Sequence, residues 1–247
     1  MQVYRGSITL LDYLFYATVE RGKVYETGAF IHNYALTYAL GLVRSSTYTY
    51  SQTVQEPRYV EELTPLNDVV YVTPGSAVQP TYRLVQWNTL RESYAFPGKP
   101  PSLGYPDWGF ARMLRPGCVF TFYVVVHEAH RLPDAPTTHN LLAGGAAHVR
   151  LGKFHAKCRL KLEPAAEVTE RLGQFNSETL LNWRDIDVDP VVSDILAASL
   201  PTRLINRAHF GEAWFVEAHF GKDVIRLPRF MRYLARLPET KRRKGKT

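Results

Sequence analysis

The stretch "CVFTFYVVV" at residues 118–126 decides the class of fold that this sequence can adopt. It is apolar at both alternating sets of positions, which is typical of a central strand covered on both faces. Upstream, residues 3–17 are rich in β-branched and aromatic side chains and predict a first strand. We therefore expect a sheet with residues 118–126 near its centre.

Helical spacing follows the first strand. Thr27 is a candidate N-cap and Gly41 lies near the expected C-terminal end of this helix. The apolar positions at helical spacing in this segment are Ile31, Tyr34, Ala35, Tyr38 and Leu42. Residues 166–183 and 190–200 show similar spacing, and a short helix is expected at 229–237.

Turn residues divide the rest of the chain. Pro74 and Gly75 predict a hairpin within "VVYVTPGSAVQPTYRLVQWNTL", and Gly221 predicts the turn of a second hairpin in "EAWFVEAHFGKDVIRLP". Residues 131–146 are expected to form a loop. Residues 44–110 are irregular and β-rich, and we interpret them as an insertion that projects from a compact core.

The resulting order of elements predicts an α+β domain. A ferredoxin-like (RRM-like) βαββαβ core accommodates it, with the large insertion at 44–110 and a C-terminal hairpin, although the periodicities alone do not require that core. We expect a single domain over residues 1–240. The tail at 241–247, "KRRKGKT", is basic and is expected to be disordered.

Positive charge is concentrated locally rather than spread over the chain. The net charge is +7, but the tail holds five of the 30 Lys and Arg residues, which leaves 25 of them against 23 acidic residues in 1–240. A local concentration of cations matters more for a polyanionic partner than the overall isoelectric point does.

Several classes of protein are excluded by the residues that are absent. The two cysteines, Cys118 and Cys158, are too few for a disulfide scaffold or a zinc knuckle and are expected to be buried. The segment 144–154 fails the P-loop pattern, and "DIDVDP" at 185–190 fails the calcium-loop pattern. We find no signal peptide or membrane span and expect a soluble, cytoplasmic protein without a metal or cofactor.

The segment "AHVRLGKFHAKCRLKL" at 147–162 is strand-like and strongly basic. Its apolar positions are odd-numbered before Gly152 and even-numbered from 156 to 162. A period-2 strand makes this change only with an extra residue or a turn, and glycine permits either. Lys153 is therefore expected at a kink, and Lys157, Arg159 and Lys161 are expected to share the outer face.

Two explanations account for this row of cations. A solvated edge strand is often protected by lysines against pairing with other chains. A face that binds phosphates also needs such a row, because cations neutralise the phosphates of a nucleic acid and release counterions. His209 and His219, which lie in two copies of "AHFG", are nominal candidates for a general base in metal-independent RNA cleavage.

Four segments together resemble a known family. They are "VYETGAFIHNYALTYALGLV" (24–43), "YVTP" (71–74), "LRPGCVFTFYVV" (114–125) and "VRLGKFHAKCRL" (149–160). Their order and spacing are similar to the Cas5-type subunit of type I-D CRISPR interference (Cascade) complexes. That subunit belongs to the repeat-associated mysterious protein (RAMP) superfamily, which has ferredoxin-like cores. The resemblance extends from the first strand to about residue 227.

The resemblance implies a non-catalytic subunit that binds the 5′ handle of the guide RNA. It also implies that the subunit caps the filament of backbone subunits, contacts the large subunit, and lies near the entry point of double-stranded target DNA. In another CRISPR subtype the corresponding subunit cuts precursor RNA. A metal-independent endoribonuclease that processes CRISPR repeat RNA therefore remains an alternative, as does a protein-interaction domain with a protected basic edge.

The RNA contacts that follow from the matching motifs involve Arg150, Gly152, Lys153, Lys157, Tyr25 and Asn33. Arg159 and Lys161 are added to this set from strand alternation alone. Within the insertion, Arg83 and Lys99 are candidates for contact with DNA or with a partner subunit. Single-stranded RNA is generally held by phosphate contacts together with stacking of unpaired bases on aromatic rings or Arg planes.

Overall fold

The two strands predicted within residues 3–17 and 118–126 pair with each other at the centre of a seven-stranded sheet. The computed structural model describes residues 1–21, 24–43, 58–89, 107–197 and 201–236. Strands are numbered in chain order. The strands of the central sheet are β1 (Gln2–Leu10), β4 (Phe30–Ile31), β5 (Val70–Val72), β6 (Gly75–Ala77), β9 (Val119–Val126), β10 (Ala146–Leu151) and β11 (Ala156–Pro164).

The order of strands across this sheet is β10-β11-β1-β9, followed by β5 and β6, which both pair with β9, and then β4. All of the pairings are antiparallel. Helix α1 (Asn33–Ala39) lies between β4 and β5 along the chain, and helix α3 (Pro136–Leu142) lies between β9 and β10. Except at the outer ends of β1 and β11, the even-numbered residues of β1, β9 and β11 are buried, as Ile8, Phe120 and Leu160 illustrate.

Two smaller sheets complete the described part of the chain. A four-stranded sheet has the order β2-β3-β8-β7, and a five-stranded sheet is built around β15. Their strands are β2 (Val19–Arg21), β3 (Val24–Glu26), β7 (Tyr82–Thr89), β8 (Asp107–Leu114), β12 (Glu167–Ser177), β13 (Leu181–Asn182), β14 (Val192–Ala197), β15 (Leu204–Phe220) and β16 (Asp223–Pro228). The remaining helical segments are α2 (Tyr59–Leu63) and 3₁₀ turns at Thr64–Leu66, Ala129–Arg131 and Trp183–Asp185. The fold is α+β and rich in strands, as the sequence predicts.

The first predicted helix is present but begins later than expected. His32 is the N-cap of α1, and its Nδ1 accepts a hydrogen bond from the Tyr34 amide at 3.3 Å. The predicted cap, Thr27, instead accepts a hydrogen bond from the Tyr16 amide through its hydroxyl. Gly41, with φ of +76°, follows the helix as predicted.

The helices expected at 166–183 and 190–200 are wrong, since these segments contain β12 and β14. Both strands have bulges: the register shifts between Gly173 and Phe175 in β12 and at two places in β14. A bulge moves the apolar side chains from one parity to the other. The resulting spacing of three and four residues, as in Val168, Leu172 and Phe175, imitates a helix.

Four further expectations need correction. Residues 44–110 are not wholly an insertion that projects from the core, because their strands β5 and β6 belong to the central sheet and β5 is buried. Residues 131–146 are not only a loop, because they contain α3. No hairpin forms around Pro74 and Gly75, since β5 and β6 follow each other along the same edge of β9 and do not pair with each other. Residues 229–236 form turns and a bridge between Met231 and Ile186 instead of a helix, whereas the hairpin with a turn at Gly221 is confirmed.

A buried polar network joins the central sheet to the C-terminal part of the chain. Asp185 is completely buried, and its Oδ1 accepts hydrogen bonds from the Tyr34 hydroxyl at 3.0 Å and the Leu234 amide at 2.9 Å. Its Oδ2 accepts from Asn33 Nδ2 at 2.7 Å, and from the Tyr71 hydroxyl and Asn182 Nδ2 at 3.0 Å each. Burial raises the pKa of the Asp185 carboxyl to about 6, although these hydrogen bonds act in the opposite direction.

Cys118 and Cys158 are buried free thiols, as predicted. Within the described ranges, no helix is long and apolar enough to cross a membrane.

Candidate nucleic-acid interface

The kink predicted at Gly152 is the turn of a hairpin between β10 and β11. Residues 152–155 form the turn, with φ of +75° at Gly152 and +52° at His155. A Cβ atom at position 152 would lie 2.6 Å from the carbonyl oxygen of Phe15, so only glycine allows this approach of the two backbones. The Lys153 amide donates a hydrogen bond to the same oxygen at 2.8 Å, and the Phe154 ring stacks on Phe15.

The outward-facing residues of this hairpin form a surface that we call the basic face. Its members are His148, Arg150, Lys157, Arg159 and Lys161, all of them exposed. Arg150 pairs across the strands with Lys157, and His148 pairs with Arg159. Successive cations on β11 are about 6.6 Å apart, given the rise of an extended strand. The predicted row of three cations on one face is therefore present.

No acidic residue lies directly opposite the three β11 cations on the two paired strands. The residues opposite the three β11 cations are Arg150 for Lys157, His148 and Thr9 for Arg159, and Ala146 and Ser7 for Lys161. Like charges in directly opposed positions destabilise a sheet. The Arg150 guanidinium is held by the His155 carbonyl oxygen at 3.0 Å.

Most arginines elsewhere in the described residues are ion-paired, which makes the unpaired row distinctive. Those pairs are Arg5 with Glu163 and Asp223, Arg21 and Arg112 with Glu26, Arg131 with Glu128, Arg171 and Arg226 with Glu217, Arg207 with Asp194, Arg229 with Glu170, Arg232 with Asp68 and Arg236 with Asp189. No member of the basic face makes an ion pair with any residue that the structure describes. Charges left unpaired in this way are available to an anionic ligand.

The edge-strand explanation of the row does not fit the sheet. β11 is paired with β1 on one side and with β10 on the other, so it lies in the interior of the sheet. β10 is the edge, and its basic residues on this face are His148 and Arg150. Protection against edge-to-edge pairing therefore does not account for Lys157, Arg159 and Lys161.

The structure places the other predicted site residues apart from the basic face. Tyr25 lies half-buried on β3 of the four-stranded sheet, in the small cluster around Phe15. Asn33 is completely buried, and its amide is engaged by the Asp185 network. Its assignment to an RNA-contacting surface is therefore wrong. Arg83 is exposed on β7 and donates to the Tyr13 hydroxyl at 3.0 Å, and Lys99 lies outside the described residues.

The two candidate histidines cannot act together. His209 and His219 are ten residues apart on the same strand, β15, which corresponds to roughly 30 Å. His209 contacts the Asn176 side-chain oxygen at 2.6 Å, and His219 lies 3.5 Å from Glu217. Within the described part of the chain there is also no group of three or more His, Cys, Asp or Glu residues that could hold a metal ion.

One feature next to the hairpin was missed by the sequence argument. A pocket of about 360 Å³ opens beside Gly152, between α1, α2 and the segment that follows β1. Five of its lining residues carry aromatic rings, and these are Tyr16, Phe30, Tyr34, Tyr38 and Tyr59. These residues come from three separate parts of the chain, so no local pattern indicates them.

The chain as a whole matches one family model, described as type I-D CRISPR-associated protein Cas5/Csc1, over residues 1–236. The chain belongs to the Cas5/Csc1 family. The resemblance noted in the sequence is thereby confirmed, and with it the placement in type I-D CRISPR systems. The match covers nearly all of the chain, including the part between 44 and 110 that departs most from the recognisable motifs.

Solved CRISPR proteins are among the structures similar to this Cas5/Csc1 chain. A CRISPR protein from Archaeoglobus fulgidus is 10% identical, with a TM-score of 0.43, over 92% of this chain and 99% of that one. A chain of the type III-B Cmr-beta complex bound to cognate target RNA and AMPPnP is 9% identical, with a TM-score of 0.44, over 90% and 86% of the two chains. No curated protein matches the sequence.

Proposed function

We propose that this chain is a non-catalytic subunit of a type I-D CRISPR effector complex that binds the 5′ handle of the guide RNA. The observation that carries the proposal is the row of Lys157, Arg159 and Lys161, which makes no ion pair with any described residue and lies on an interior strand. Membership of the Cas5/Csc1 family supports a guide RNA as the polyanion. Lys153, exposed at the hairpin turn, extends the same surface.

The arrangement of the central sheet supports the fold part of this proposal. We assign β1, α1, β5 with β6, β9, α3 and β11 to a ferredoxin-like βαββαβ core. Their antiparallel order, β11-β1-β9-β5/β6, is the order that such a core requires, with one helix in each of its two βαβ halves. The basic face would then lie on the side of the sheet that is opposite its buried, even-numbered residues.

The row of cations should make RNA affinity depend on salt concentration, and this dependence can be measured. Each phosphate contact on a single-stranded nucleic acid contributes a slope of about −0.7 to the dependence of log K on log salt concentration. Replacing Lys157, Arg159 and Lys161 together with Gln should therefore reduce the magnitude of the slope by about 2. All three side chains are exposed, so the variant should fold normally.

The experiment compares this triple variant with the wild type in binding to RNA that has the handle sequence, over a range of salt concentrations. Arg131→Gln is the matched control, because Arg131 is an exposed cation beyond the far end of β9 that forms a surface ion pair with Glu128. The proposal would be refuted if the slope of log K against log salt concentration is unchanged in the triple variant, or if the control changes it equally.

The partners implied by the family complete the proposal. We expect contact with the backbone and large subunits and a position near double-stranded target DNA, with Arg83 on β7 as one contact. We also expect no cleavage of repeat RNA by the purified protein in the presence of a chelator. Cleavage that is lost in a single His→Ala variant would instead favour the endoribonuclease alternative.

A further inference from the structure

The aromatic pocket beside Gly152 has the chemistry of a site for a flat, neutral ring. None of its described lining residues is Asp, Glu, Lys or Arg. Its one titratable imidazole, His32, is neutral near pH 7, because burial lowers its pKa to about 3. The volume of about 360 Å³ is at the lower end of the range for small-molecule sites.

The tyrosines present their rings to the pocket while the protein satisfies several of their hydroxyl groups. The Tyr16 hydroxyl donates to the Gly28 carbonyl oxygen at 3.2 Å, the Tyr34 hydroxyl donates to Asp185, and the Tyr38 hydroxyl donates to Glu62. Tyr16, Tyr38 and Tyr59 are only half-buried, so ring surface remains exposed in the cavity. Such rings bind by stacking rather than by hydrogen bonding.

The position of the pocket relates it to the basic face. Lys157 is the member of the row nearest the hairpin turn, the exposed Lys153 lies in the turn, and Gly152 lines the pocket. A single strand that follows the cations around the turn therefore reaches the pocket. Its phosphates would stay on the lysines, since the uncharged pocket does not favour an anion.

We infer that this pocket takes one unpaired nucleobase of the bound RNA, stacked on its tyrosine rings. The inference rests on the proposed function for the source of the base, and it adds a base-binding subsite to a phosphate-binding surface. Stacking tolerates any base, because every base has a π-face. The pocket would therefore hold the strand in register without requiring a particular sequence.

Ala35 offers a way to fill the pocket without disturbing the core, because it lines the cavity and its side chain is exposed on α1. We expect Ala35→Trp to weaken binding of the handle RNA by about 5- to 150-fold, the range that stacking of one base contributes. Ala35→Ser should bind like the wild type. Tyr59→Ala should weaken binding while Tyr59→Phe, which keeps the ring, should not.

The site is located on the RNA by replacing one nucleotide at a time with an abasic one. In the wild type, an abasic nucleotide at one position should weaken RNA binding by about 5- to 150-fold. In Ala35→Trp, the same abasic replacement should no longer weaken binding. Wild-type affinity and an unchanged scan in a folded Ala35→Trp protein would overturn the inference. So would a variant that keeps RNA affinity but no longer associates with a protein subunit, since the pocket would then receive a protein side chain.

Failure of this inference can be separated from failure of the proposed function. If the wild type does not bind handle RNA, the proposed function fails, and the pocket is tested with AMP alone by saturation-transfer NMR. A transfer signal from the adenine protons that is lost in Ala35→Trp supports the pocket, whereas no signal in the wild type refutes it. If RNA binds with the expected salt dependence but the abasic scan is flat, only the pocket inference fails.

Discussion

The buried carboxyl of Asp185 should give this protein an unusual dependence of stability on pH. Its folded-state pKa is raised to about 6 from an ordinary 3.8, because the group is buried without an ion pair among the described residues. The folded state therefore binds the proton more tightly than the unfolded state does. The contribution of this group to the unfolding free energy is complete below about pH 4 and is lost as the pH rises through about 6.

The size of the effect follows from the shift. A difference of about two pKa units corresponds to about 3 kcal/mol over the whole range, of which about 2 kcal/mol falls between about pH 4.5 and 7.5. In Asp185→Asn the amide nitrogen must face either the Leu234 amide or the Asn33 and Asn182 amides, all of which are donors. The variant should be destabilised by about 1–3 kcal/mol at neutral pH.

Urea unfolding of both proteins at the two pH values isolates the contribution of Asp185. The destabilisation caused by Asp185→Asn should be larger by about 2 kcal/mol at about pH 4.5 than at about pH 7.5. Asp187→Asn is the control, because Asp187 is exposed in the same loop and its replacement should change stability by less than about 0.5 kcal/mol. A destabilisation that stays constant or grows with pH would refute the reasoning.

Two other predictions concern the hairpin and the thiols. In urea unfolding, Gly152→Ala should lower the free energy of unfolding by at least about 1 kcal/mol more than Gly117→Ala does, because both have positive φ but only at 152 would the Cβ meet a backbone atom. Equal effects would show that the contact with Phe15 is unimportant. Cys118 and Cys158 should not react with a thiol reagent until the protein unfolds, since both are buried and burial raises the pKa of Cys158 to about 12. Rapid labelling of the native protein would contradict this.

The sequence predicted the structure best where the structural feature depends only on neighbouring residues along the chain. Alternation of side chains along a strand is a local property, so it predicted β1, β9 and the outward row at Lys157, Arg159 and Lys161. The change of apolar parity at Gly152 likewise predicted a break in the strand, which is the hairpin turn. Residues 44–57, 90–106 and the tail lie outside the described residues, so predictions about them stay predictions.

Contacts between distant segments decided the bulges, the position of the basic row in the sheet and the burial of Asn33, none of which a local pattern predicts. Bulges in β12 and β14 arise from pairing with β15, and they gave these strands a helical spacing that misled the sequence argument. Whether the basic row lay on an edge or in the interior depended on β10 and β1 flanking β11. Asn33 belongs to the core because Asp185, far along the chain, needs donors once it is buried.

The sequence by itself therefore determined which segments alternate, where the cations are concentrated and, through its motifs, which family the chain resembles. Only the tertiary structure decided which cations remain unpaired, which polar residues are buried, and that tyrosines from α1, α2 and the segment after β1 enclose one pocket. The physical reason is that periodicity reports each residue's orientation relative to its own strand or helix. Pairing, burial and cavities depend on the side chains that distant segments bring alongside.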